Sequence, residues 1–127
     1  MAQWNMLAGW AGMLLGLVSG AIIGLFFHRT GFAGGYASFQ RRMLRLGHIA
    51  FFGLGIINVL FSLTLSTGSI QLGDPTVASL SLIAGAILMP TVCFLTAWKT
   101  FFRHAFAVPV TCVAIAVALV LQSMVAP

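Results

Sequence analysis

Four apolar runs, at roughly 6 to 27, 44 to 65, 76 to 97 and 107 to 124, limit what this chain of 127 residues can fold into. Each is near the ~20 residues that a helix needs to cross ~30 Å of hydrocarbon. The connections between them are short, which leaves no room for a separate soluble domain. Hydrophobic residues make up 61% of the chain and charged residues 6%, a balance too apolar for a water-soluble protein. The expected fold class is therefore all-α: an integral membrane four-helix bundle forming a single transmembrane domain.

The charges are confined to the connections. Arg29, Arg41, Arg42, Arg45, Lys99 and Arg103 fall in the first and third, and the single acid, Asp74, lies in the second. The positive-inside rule places both basic connections in the cytoplasm and both termini on the non-cytoplasmic side. Trp4 and Trp10 suit an aromatic anchor on that outer side. The first run is longer than the 7 to 15 residues typical of a signal-peptide core, and no Lys or Arg precedes Arg29. The N-terminus is thus expected to be retained. A formal net charge of +5 does not point to nucleic acid, because these cations frame membrane helices and do not line a folded soluble surface. Membrane lipids with anionic headgroups are the expected counter-charge. The expected setting is a bacterial inner membrane or an equivalent energy-transducing membrane.

The second run, with the basic turn before it, carries a polar and small face. His48, Phe51, Gly55, Asn58 and Ser62 recur at steps of three and four, so they share one side of a helix, and that side is expected to face protein and not lipid. Asn58 sits near the middle of the span, where an unpaired amide is costly. Its expected partner is a backbone carbonyl or a hydroxyl on a neighbouring helix, such as Ser81, with a cofactor substituent as the alternative. In the first run Ala8, Gly12, Gly16, Gly20 and Gly24 recur every fourth residue. Interior helix glycines cost ~1 kcal/mol each relative to Ala, and close approach of a second helix is the usual compensation in lipid. The row is read as packing within the bundle, or as self-association or contact with other membrane-protein subunits through Gly12, Gly16, Gly20 and Gly24.

Local signals refine the helix ends. Asp74 and Pro75 fit the start of the third helix, with Pro75 at the first helical position. Pro90 removes one helical hydrogen bond and predicts a kink. Pro109 is cheap if the fourth helix starts near 108 and kinks it if the start is near 101. Cys93 and Cys112 stand alone in apolar surroundings, without CxxC spacing, and read as buried inert thiols.

The strongest functional clue is that His28, His48 and His104 all fall near the same membrane face. Neutral imidazoles on facing helices can hold haem b or a metal ion between them. His48 paired with His28 or His104 is the best arrangement, with Arg45 or another nearby arginine for the propionates, and all three histidines together form a candidate copper or zinc site. The opposing reading is three interfacial or core histidines. In layout alone the chain resembles the small membrane-anchor and haem-b subunits of respiratory or photosynthetic assemblies. No catalytic residues are assigned: Asp74 is predicted on the face opposite the histidines, so a Ser-His-Asp triad cannot form. The spans also lack the buried carboxylate expected of proton-coupled export. The chain reads first as a non-catalytic subunit that packs within or stabilises a larger membrane complex. The alternative is a b-type haem subunit for electron transfer or anchoring.

Overall fold

The computed structural model describes residues 1–125, which form four α-helices: α1 (Ala2–Leu25), α2 (Phe39–Ser66), α3 (Thr76–Trp98) and α4 (Ala107–Val125). All four are long and apolar enough to cross a membrane, the last when taken with the 3-10 helix before it. The protein is an all-α four-helix bundle. Short 3-10 segments occupy Phe32–Gly34 in the first connection and Thr100–Phe106 in the third.

The first two helices start earlier than their apolar runs, and the early turns bring in polar residues that matter. α1 takes in Gln3 and Asn5. α2 starts at Phe39 because Ser38, in extended conformation, accepts a hydrogen bond at Oγ from the Arg41 amide at 3.1 Å. A serine there satisfies one of the amides that a helix start leaves open. Arg41 is thereby placed in the first turn of α2 and not in a loop. α3 runs through Pro90 to Trp98 as one helix. Pro109 falls in the first turn of α4, where its missing amide costs little. Asp74 accepts a hydrogen bond from the Thr76 amide at 2.9 Å, while Pro75 occupies the cap position itself and not the first helical one. Hydrogen bonding with Thr76, through its side chain first and its amide second, holds the Asp74 carboxyl below its ordinary range.

Packing follows chain order. α1 lies on α2, α2 on α3 and α3 on α4, with a lighter contact between α1 and α3. α1 and α4 do not meet, so they flank the central α2/α3 pair. A small apolar cluster of Phe61, Ile70, Ala78, Leu82 and Ala116 ties α2, α3, α4 and the second connection together. Gly85 of α3 admits Val113 of α4, whose methyl would lie 2.5 Å from any Cβ added there.

The α1/α2 seam changes along its length. At Gly9 and Gly55 the two backbones touch: a Cβ on Gly9 would lie 2.6 Å from the Gly55 carbonyl oxygen, and one on Gly55 would lie 2.8 Å from the Gly9 oxygen. At Gly16 the Phe52 ring fills the gap, at Gly20 the His48 ring does, and beside Gly24 there is nothing within 4 Å. The glycine row thus meets α2 of the same chain as far as Gly20 and then opens. Gly9, outside the four-residue repeat, makes the closest backbone-to-backbone contact of the seam. The helices part progressively toward the basic end.

Candidate functional site

Two polar constellations occupy the α1/α2 seam, one at each end. The first joins three helices. Asn5 Nδ2 donates to Asn58 Oδ1 at 2.8 Å and to the Ser79 carbonyl at 3.3 Å, and Ser79 Oγ donates to Asn5 Oδ1. Asn58 Nδ2 donates to the Leu54 and Leu82 carbonyls at 2.9 and 3.2 Å. All three residues are fully enclosed. Each amide nitrogen makes two bonds and each amide oxygen accepts one, so both side chains are satisfied by the protein itself. Ser62 adds a bond to the Ala2 carbonyl at 2.7 Å.

Asn58 thus finds the expected backbone carbonyls, those of Leu54 and Leu82, while its side-chain partner is Asn5, with Ser79 behind it, and not Ser81. The signal that could have found Asn5 was its position four residues before Gly9, on the side of α1 that carries Gly12 and Gly16. As an apparent part of a polar leader, it fell outside the apolar run. With every hydrogen-bonding group of its amide engaged, Asn58 acts here as a structural link between helices.

At the opposite end Arg41 is 2% exposed although it carries a charge. Its guanidinium lies over three aromatic rings, 4.6 Å from the centre of Phe27, 5.1 Å from Tyr36 and 5.8 Å from Phe32. Nη2 donates to the Phe27 carbonyl at 2.9 Å, just beyond the end of α1. A cation there meets the negative end of the helix dipole as well as the ring faces. Nε makes no hydrogen bond and is enclosed. The chain's one acidic side chain, Asp74, belongs to the other end of the bundle, so rings and a carbonyl stand in for a counter-ion. Arg45 also lies over Tyr36, at 5.3 Å.

Arg41→Lys should loosen this clasp despite keeping the charge. An ammonium is a compact point charge that cannot both lie flat on the rings and reach Phe27. The expected loss is about 1–2 kcal/mol of local stability, read as faster amide hydrogen exchange across residues 26–38 with the centre of α2 unchanged. Equal protection in the two proteins would show that the clasp contributes nothing.

The three histidines are not brought together as a ligand set. His28 is exposed in the turn after α1, and His104 is exposed in the 3-10 helix, with Arg103 Nε 3.4 Å from its Nε2. His48 alone is built into the seam. Its Nδ1 is 2.8 Å from the Gly16 carbonyl, its ring covers Gly20, and the Phe52 ring meets it edge-on at 5.9 Å between centres. Among the described residues no group of three or more His, Cys, Asp or Glu side chains could hold a metal ion.

The outer surface carries adjoining apolar grooves between α1 and α3. One of ≈ 390 Å³ includes Trp4, Leu7, Ala8 and Ile83, and the next, of ≈ 320 Å³, includes Ala8, Leu15, Phe51 and Ile87. Comparison of the chain with protein-family models, with curated proteins and with solved structures gives no match.

Proposed function

We propose that this chain is a small non-catalytic membrane subunit whose apolar perimeter packs against other membrane-protein subunits of a larger assembly, in an energy-transducing membrane such as a bacterial inner membrane. The observation that carries this reading is the pair of grooves sharing Ala8, which together form an apolar furrow along α1 and α3. Trp4 and Leu7 of α1, which line it, are more than half exposed. Small-residue furrows of this kind admit a transmembrane helix closely. Inside the bundle the Asn5, Asn58 and Ser79 groups are consumed by one another, so the polar interior serves cohesion. Lipids cover the remaining perimeter. The gathering of the cations at one end of the bundle, in the first and third connections and the start of α2, supports a cytoplasmic basic end.

Ala8→Phe tests the reading, because it fills both grooves from a partly exposed position. The variant should leave the assembly, as seen by size on gentle solubilisation from native membranes, while keeping its own melting temperature in detergent. Unchanged assembly would show that the furrow is not the contact.

A second reading, a b-type haem subunit carrying electrons in such an assembly, has one observation in its favour. His48 is tied to the Gly16 carbonyl through Nδ1, which leaves Nε2 as the free ring nitrogen.

A further inference from the structure

A carbonyl oxygen only accepts, so the 2.8 Å contact between His48 Nδ1 and Gly16 O fixes a proton on Nδ1. In the neutral ring the lone pair then belongs to Nε2. Nε2 makes no hydrogen bond and is not among the enclosed unpartnered atoms of the described residues, so it reaches the bundle surface. Gly20 on one side and the edge contact with Phe52 on another hold the ring in place. A hydrogen bond on the remote nitrogen is the means by which proteins orient and strengthen an imidazole ligand.

The surroundings narrow what such a ligand could take. A bare ion needs several protein donors, and among the described residues His48 belongs to no group of three or more of them. One imidazole is enough only when the metal's remaining positions are filled by its own macrocycle. A flat ring needs open space against the helices, and the seam supplies it at the next turn, where nothing lies within 4 Å of a Cβ on Gly24. Arg45 stands three residues before His48, on the same side of α2. It is partly exposed, and the chain has no carboxylate at this end to engage it.

We infer that His48 Nε2 is the axial ligand of a metallo-tetrapyrrole seated against the α1/α2 seam beside Gly24, with Arg45 facing any acidic substituent of the ring. This deepens the haem reading and is independent of partner packing. Haem, with free propionates, and a magnesium or zinc chlorin, with esterified side chains, share the required chemistry. Coordination forms one metal–nitrogen bond and changes no oxidation state.

The test is titration of the purified full-length protein, in detergent, with haemin and in parallel with a zinc chlorin, followed by absorption. Saturable binding of at least one ring is expected. His48→Gly should abolish it, and added imidazole should restore it by occupying the vacated place. Gly24→Leu, which leaves the His48 contact intact, should weaken binding about tenfold, equivalent to ~1.4 kcal/mol, with no loss of thermal stability. Arg45→Gln should weaken haemin and spare the chlorin, which separates the two sources. Absence of saturable uptake of either ring overturns the inference. So does uptake that survives His48→Gly, and if His48→Gly fails to fold, Gly24→Leu decides alone, unchanged uptake by that variant overturning the inference. The electron-transfer reading fails separately, if a ring bound through His48 cannot be reduced and reoxidised or if only the chlorin binds.

Discussion

Asn58→Ala is expected to destabilise the bundle by about 1–3 kcal/mol, the usual range when a buried donor loses its partner. The substitution removes two donors that reach backbone carbonyls and the one oxygen that receives Asn5 Nδ2. The carbonyls of Leu54 and Leu82 lie within helices and keep their helical partners, so they lose little. Asn5 is left with an amide hydrogen in an apolar enclosure and only the longer contact, 3.3 Å, to the Ser79 carbonyl. Asn5→Ala should cost about as much, because it strands Asn58 Oδ1 and the Ser79 hydroxyl together.

Removing both amides should cost less than the sum of the singles, since neither then leaves the other unpaired. Measured couplings between polar side chains in membrane bundles average ≈ 0.6 and reach ≈ 1.7 kcal/mol, and the upper part of that range is expected for a pair fully enclosed by three helices. The readout is a double-mutant cycle of unfolding in detergent. Strict additivity would mean that the two side chains do not cooperate, and that the hydrogen bonds contribute no more than the packing around them.

How much of this was legible in the sequence depended on whether a residue's role was set by its own helix or by another. Hydropathy alone indicates the four helices and their membrane-spanning character, because span length and apolarity are local properties. The inward face of α2 was legible for the same reason: His48, Asn58 and Ser62 meet α1 groups through a period that belongs to one helix. Asn5 was not, because its role exists only once α2 and α3 lie beside it, and a polar residue ahead of an apolar run resembles a leader. From sequence Arg41 is likewise one of several loop cations, whereas the Ser38 cap carries the helix back past it and the first connection folds three aromatic rings around it. The proximity of the three histidines to one membrane face was visible, but their rotation about the helix axes was not. A single residue shifts a side chain by ~100°, which is enough to separate a ligand set.

The glycine row offers the sharpest grading of effects. Gly9→Val and Gly55→Val should be the most disruptive substitutions in the chain. A side chain at either place meets the partner helix's backbone, which cannot swing aside. The Cβ alone would stand 2.6 Å from Gly55 O in the first case and 2.8 Å from Gly9 O in the second. To relieve that contact the helices must move apart, and the Asn5–Asn58 bond on the same seam is stretched with them. Overpacking of this kind costs about 1–3 kcal/mol and at times more, and the coupling to the polar network favours the upper end.

At Gly16 and Gly20 the obstacle is instead a ring, that of Phe52 or His48. Both are partly exposed side chains, and Phe52 can turn aside while His48 must give up its bond to the Gly16 carbonyl to do so, so Gly16→Ala and Gly20→Ala should be milder than the same change at Gly9, where backbone must move. Gly24→Ala meets nothing and replaces an exposed helical glycine near the end of α1, so it should be neutral or should stabilise by up to ~1 kcal/mol. The measurement is thermal or denaturant unfolding of the alanine series in one detergent. Equal losses at Gly9, Gly16, Gly20 and Gly24 would mean that helix propensity alone governs the row. The expected order, with Gly9 worst and Gly24 harmless, requires that α1 and α2 touch backbone to backbone at one end and part at the other. The same parting frees the space beside His48.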